Sequence, residues 1–144
     1  MCYCDFASYQ IYNDHIMNDC ARRLVEEISA CTPALPVSPR ATVYFGGGTP
    51  SVLPLDDLAA IVSVLKERGF WQQPAEATLE ANPGTVDLER LRFYRFLGFD
   101  RLSLGIQSFQ PSELVSMGRI HTAEQAEEAI ALARQAGSGG SAAI

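Results

Sequence analysis

No apolar stretch in this chain approaches the ~20 residues that a membrane-crossing helix requires, so no integral membrane segment is read from it. Nor does it carry a basic stretch leading into an apolar core, the pattern of a secretory leader. Basic residues are scarce: 11 Lys and Arg stand against 17 Asp and Glu, for a formal net charge of −6. A nucleic-acid surface needs clustered Lys and Arg, and that class of partner is excluded. These absences predict a cytoplasmic protein. What is present is ordinary for a globular core: 144 residues, 47% hydrophobic and 19% charged, enough for one domain.

Cysteine is also sparse, and its placement argues against disulfides. Cys2 and Cys4 are too close in sequence for an ordinary bridge. Cys20 and Cys31 fall on one expected helix, well separated along its axis at ~1.5 Å per residue. This usage suits a reducing compartment. Ile16, Cys20, Leu24, Ile28 and Cys31 recur at helical spacing. Cys20 and Cys31 are therefore expected to pack as small core hydrophobes.

The spacing predicts a helix from Asn13 to about Cys31, ended by the stiff run containing Pro33, Pro36 and Pro39. Ala41 to Phe45 reads as a short buried strand that stops at three glycines. Pro54 suits the first turn of the next helix, with Asp56 and Asp57 at its positive end. Leu55, Leu58, Ile61, Val62 and Leu65 form its apolar stripe, and Gly69 its stop. Ala77 to Glu80 is the second strand. Asp87 caps a helix that runs to Leu97 and ends at Gly98. Arg101 to Ile106 is the third strand. Thr122 with Gln125 makes a capping box for a last helix, which ends at Gly137. Residues 138–144 are small and featureless, like a flexible linker or a foreign tail, which leaves residues 1–137 as the folded domain.

A helix followed by three strand–helix units predicts an α/β fold of parallel strands with crossover helices. Alternation alone does not separate an open doubly wound sheet from a barrel. Three strands cannot close a barrel, so the sheet is expected to be incomplete, with two edges to cover.

Parallel strands bring their carboxyl ends to one rim, where ligands bind. Each strand here ends in residues a core would not select: Gly46-Gly47-Gly48-Thr49, then Glu80-Ala81-Asn82, then Gln107-Ser108. The glycines allow close backbone approach and expose amides to an anionic or polar ligand. The alternative for the triplet alone is a strained strand-to-loop turn. Three such termini on one rim favour a binding site. At the N-terminus, Cys2 and Cys4 read either as a metal or cluster ligand pair or as plain thiols.

The ordered strings Phe45-Gly46-Gly47-Gly48-Thr49-Pro50, Leu79-Glu80-Ala81-Asn82-Pro83-Gly84 and Leu104-Gly105-Ile106-Gln107-Ser108-Phe109, with Gly118-Arg119-Ile120-His121, resemble the radical S-adenosylmethionine family. The resemblance runs from about Cys2 to Gly137. It points to the branch that holds the HemW haem chaperones and the oxygen-independent coproporphyrinogen III oxidases. It implies a partial (β/α) barrel, a [4Fe–4S] cluster and S-adenosylmethionine. The family's cluster cysteines follow Cys-x-x-x-Cys-x-(Tyr/Phe)-Cys, and Tyr3-Cys4-Asp5-Phe6 matches the end of that motif. Cys4 is then the third ligand and the second falls on Met1, unless a shortened loop lets Cys2 substitute. The resemblance implies that Gly47 approaches the methionine amino group and that Glu80 takes the ribose hydroxyls. It also implies that Gln107 and Arg119 make further contacts, and that Gly48, Thr49 and Tyr3 flank a second ligand position. Arg119 and His121 taken by themselves would read as a solvated loop.

The function implied by the resemblance is haem or porphyrin binding and haem delivery to an acceptor protein. The alternatives are oxidative decarboxylation in haem biosynthesis, or a ligand-binding module without chemistry. With an incomplete thiolate set and half of the family's strands, the chain is expected to begin and end inside a longer pattern. No catalytic residue is assigned, and the chain by itself is expected to be inactive.

Overall fold

A computed structural model describes residues 14–33, 37–38 and 40–137. The elements, in order, are α1 (Asp14–Ala30), β1 (Thr42–Phe45), α2 (Leu55–Glu67), β2 (Glu76–Ala81), α3 (Leu88–Leu97), β3 (Arg101–Leu104), α4 (Pro111–Ser116) and α5 (Ala123–Gln135). Two short 3-10 turns, Pro50–Val52 and Pro83–Thr85, lie in the loops after β1 and β2.

The strands form one parallel sheet in the order β1-β2-β3, with Tyr44 opposite Thr78 and Glu80 opposite Ser103. Successive side chains point to opposite faces of a strand. Val43, Phe45, Ala77, Leu79, Ala81, Leu102 and Leu104 share one face. They form the core with Leu58 and Val62 of α2, Leu91 and Leu97 of α3, and Ala126, Ala129 and Ala133 of α5. The other face carries Tyr44, Thr78, Glu80, Arg101 and Ser103. All the core helices cover one face. That is the winding of a barrel wall, not of a doubly wound sheet, and it resolves the alternative that alternation left open.

The helix ends follow their predicted chemistry. Asp87 accepts from the Arg90 amide at 2.7 Å, and Gly98 ends α3 at a left-handed φ of 112°. Thr122 and Gln125 complete the reciprocal capping box on α5. Gly69 follows α2 at φ 80°. Phe45, Trp71 and Phe99 meet edge to face, with ring centroids 5.0 to 6.1 Å apart, and pack together in the core.

Four expectations are corrected. β1 is not a buried strand: its exposure alternates and Tyr44 is 56% exposed, because among the described residues β1 is an edge strand that pairs only with β2. Cys20 and Cys31 are exposed. The inward stripe of α1 is Met17, Ala21, Val25 and Ile28, about 100° round the helix from the Ile16–Cys20–Leu24 line. Pro54 stands at the N-cap of α2 with ψ 140°, just outside the first turn. A further short helix, α4, opens at Pro111 between β3 and α5.

No described helix is long and apolar enough to cross a membrane.

Candidate functional site

Because β1, β2 and β3 are parallel, the loops after them gather at one edge of the sheet. Glu80, near the end of β2, is the centre of that edge. Its Oε2 accepts from the backbone N–H of Gly47 at 3.2 Å, and its Oε1 accepts from the Tyr44 hydroxyl. Gly46 makes this approach possible. A Cβ there would sit 2.5 Å from the Tyr44 ring and 3.2 Å from the Glu80 carboxyl carbon. Gly47 and Gly48 then turn the chain through left-handed φ values of 84° and 59°, which L side chains rarely adopt. A Cβ at either would meet open space, so the turn is open to an incoming group.

Asn82 ties the β1 and β2 loops to the far end of the edge. Its amide nitrogen donates to Thr49 Oγ1 at 3.1 Å, and its amide oxygen accepts from Arg119 Nη2 at 2.6 Å. Arg119 also donates to the carbonyl of Gly105, immediately after β3. Gly105 is closely approached: a Cβ would lie 3.0 Å from Asn82 Oδ1 and would press on its bond to Arg119. Gln107 is exposed and held at a left-handed φ of 72°, rare for a non-glycine residue.

The surrounding loops are anchored from below. Arg90 donates to the carbonyls of Ser51 and Leu53 at 2.8 and 2.7 Å, so the first turn of α3 holds the loop after β1. His121 is buried, with Nε2 3.0 Å from the Ile106 carbonyl oxygen. Burial, the largest cause, pushes its pKa below the ordinary imidazole value, and the nearby Arg119 charge acts in the same direction. A neutral His121 donating from Nε2 fixes the segment that carries Gln107. The Tyr44 phenol is pushed up, chiefly by its hydrogen bond to Glu80.

Of the residues predicted for a cofactor, Gly47, Gly48, Thr49, Glu80, Gln107 and Arg119 stand along this one edge. Tyr3, Cys2 and Cys4 lie outside the described residues. Among those described, no group of His, Cys, Asp and Glu is arranged to hold a metal. Arg119 and His121 turn inward from a loop whose Ile120 is exposed: one is bonded to two residues at the strand ends and the other is buried. Sequence reasoning put Asn82 on the rim but not its bonds to Thr49 and Arg119, and it missed Tyr44 and the close approach at Gly105. Pleat alternation would have put Tyr44 on the Glu80 face, but a buried reading of β1 hides a phenol that serves the rim.

A family model described as the radical SAM superfamily matches residues 2–144. The chain belongs to the radical SAM superfamily. Its relatives include the heme chaperone HemW of Haemophilus influenzae, 36% identical over 94% of this chain and 36% of that protein. HemW of Escherichia coli is 34% identical over 91% of this chain and 35% of its own length. A mitochondrial radical S-adenosyl methionine domain-containing protein 1 of Danio rerio is 31% identical over 92% of this chain. The chain thus spans about a third of the length of the curated relatives it matches. Among solved structures, one described as "Coproporphyrinogen III oxidase (HemN) from Escherichia coli is a Radical SAM enzyme" superposes with a TM-score of 0.80. It is 25% identical and covers 94% of this chain and 31% of that one. A second, "Native anSMEcpe with bound AdoMet", has a TM-score of 0.58 at 17% identity and shares the fold alone. The open three-stranded wall is therefore part of a radical SAM barrel.

Proposed function

We propose that this edge holds S-adenosylmethionine in a HemW-like haem chaperone, with Gly47, Glu80, Gln107 and Arg119 as its contacts. Gly48, Thr49 and Tyr3 flank a second ligand position, and Cys4, with Cys2, supplies thiolate to a [4Fe–4S] cluster. Haem is the cargo, passed to an acceptor protein. One observation carries the reading: a carboxylate and a left-handed glycine turn meet at the carboxyl ends of parallel strands, beside open space.

The residues present fit the ligand. Glu80 has acceptor capacity beyond the two donors it already engages, suited to hydroxyls. The Gly47–Gly48 turn offers close backbone approach without side chains in the way. Gln107 presents both a donor and an acceptor at the exposed end of the edge. When bound beside a reduced cluster, S-adenosylmethionine supplies one-electron carbon–sulfur cleavage; the protein contributes binding, orientation and exclusion of water. The Asn82 and Arg119 bonds orient the loops that do this.

Calorimetric titration of the chain with S-adenosylmethionine and, separately, with haem tests the proposal. Saturable binding of both is expected, and no heat from either ligand overturns it. For the thiolates, the chain with its incomplete thiolate set is expected to hold less than one full cluster after anaerobic iron–sulfide reconstitution, and Cys4→Ala is expected to hold less iron than Cys20→Ala. Equal iron in the two variants removes Cys4 as a ligand.

The HemN likeness favours a second reading, an oxygen-independent coproporphyrinogen oxidase that decarboxylates propionate side chains. Binding of S-adenosylmethionine together with a coproporphyrin but not haem would select it.

A further inference from the structure

Tyr44 is a large aromatic residue that the core does not use. It stands on the polar face of β1, 56% exposed, two residues before Gly46. Its ring occupies the space a Cβ at Gly46 would need, 2.5 Å away, so the glycine and the phenol are fitted to one another. The hydroxyl donates to Glu80 Oε1 while the Gly47 amide holds Oε2 at 3.2 Å. The carboxylate is therefore gripped once on each oxygen, by two donors from the strand and loop next to its own.

This double grip limits what Glu80 can accept. An ionised carboxylate has about four acceptor positions over two oxygens. One donor on each leaves acceptor capacity on both oxygens. Two adjacent acceptors held in a fixed plane match the two neighbouring hydroxyls of a cis-diol. Without the phenol, one oxygen loses its protein donor and the carboxylate is free to rotate about its last torsion, which is broad for glutamate. Ser103 and Arg101 also face the phenol, and both act on its ionisation in the sense opposite to Glu80.

We propose that Tyr44 is a positioning residue: its hydroxyl fixes the Glu80 carboxylate so that both oxygens receive the vicinal ribose hydroxyls of the adenosyl ligand. This role rests on S-adenosylmethionine being the ligand of the edge. Tyr44 acts through Glu80 and not by touching the ligand's reacting atoms.

The test is a cycle of Tyr44→Phe, Glu80→Ala and the double variant, titrated calorimetrically with S-adenosylmethionine, with far-ultraviolet circular dichroism as the check of folding. A hydrogen bond to a charged group predicts a loss of roughly 10-fold in affinity for Tyr44→Phe. The same substitution is expected to cost nothing further when Glu80 is already alanine. Equal losses in both backgrounds overturn the proposal, because Tyr44 would then act through the fold. Full affinity in Tyr44→Phe with a loss in Glu80→Ala overturns the proposal and leaves the cofactor reading standing. No binding to the unsubstituted chain overturns both. A ligand-free readout is the phenolate absorbance titration. One tyrosine, missing from Tyr44→Phe, should ionise at lower pH once Glu80 is alanine. No such shift overturns the contact on which the proposal stands.

Discussion

Gly46 illustrates how a single missing Cβ sets the site. The side chain it lacks would collide with the Tyr44 ring at 2.5 Å and crowd the Glu80 carboxyl carbon at 3.2 Å. Gly46→Ala is expected to push both aside and to weaken S-adenosylmethionine binding by at least ~10-fold, the loss of one charged hydrogen bond. Calorimetry on the folded variant measures this, and unchanged affinity would count against Glu80 as a contact. His121 gives a pH test at the same scale. Its folded pKa is depressed below 6.5 by burial, so the unfolded chain binds the proton more readily. Stability is therefore whole above the unfolded pKa of about 6.5 and falls as pH drops below it, toward the folded value. Thermal unfolding from pH ~7.5 down to ~5 should show a steeper decline for the parent chain than for His121→Gln. Parallel declines would mean that His121 is not held neutral in the folded state.

At the scale of elements, the helices depend on end chemistry that is local in sequence. α5 supplies Ala126, Ala129 and Ala133 to the core, small residues that let it lie close to the sheet but bury little area each. Its capping box therefore matters more to it than to a leucine-rich helix. Thr122→Ala removes the acceptor for the Gln125 amide and should cost about 1 kcal/mol in urea unfolding. The strands depend on packing instead. Leu79, on the central strand, is fully buried among residues of both neighbouring strands and the covering helices. Leu79→Ala is expected to destabilise by ~2–5 kcal/mol, several times the cost of losing the cap. A smaller loss for Leu79→Ala than for Thr122→Ala would contradict the central place of β2.

At the scale of the molecule, three strands among the described residues and their helices make one wall, apolar on the helix side and polar on the other. The candidate site is built only where the three strand-end loops meet, so a ligand there would brace β1, β2 and β3 against one another. A ligand that binds the folded chain alone stabilises it by about 2.7 kcal/mol at a hundredfold excess over Kd. S-adenosylmethionine is accordingly expected to raise the Tm progressively with concentration and to slow proteolysis within the Gly46–Thr49 loop. A rise in Tm without loop protection would place the ligand elsewhere.

Much of this was legible in the residues themselves. Asp87, Gly98, Thr122 and Gln125 mark helix ends because capping is satisfied within a few residues, and the strand–helix order comes from apolar spacing. The Gly46–Thr49 turn and Glu80 could be assigned to one rim because parallel strands share a direction. Three-dimensional packing decided the rest. Whether Cys20 or Ala21 faces inward depends on the rotation of α1 against α2, which a stripe of mixed residues leaves open. That Tyr44 grips Glu80, and that Asn82 joins Thr49 to Arg119, depends on register between strands far apart in the chain. Local chemistry determined the elements and which residues end them; contacts made over thirty and more positions decided which of those residues act together.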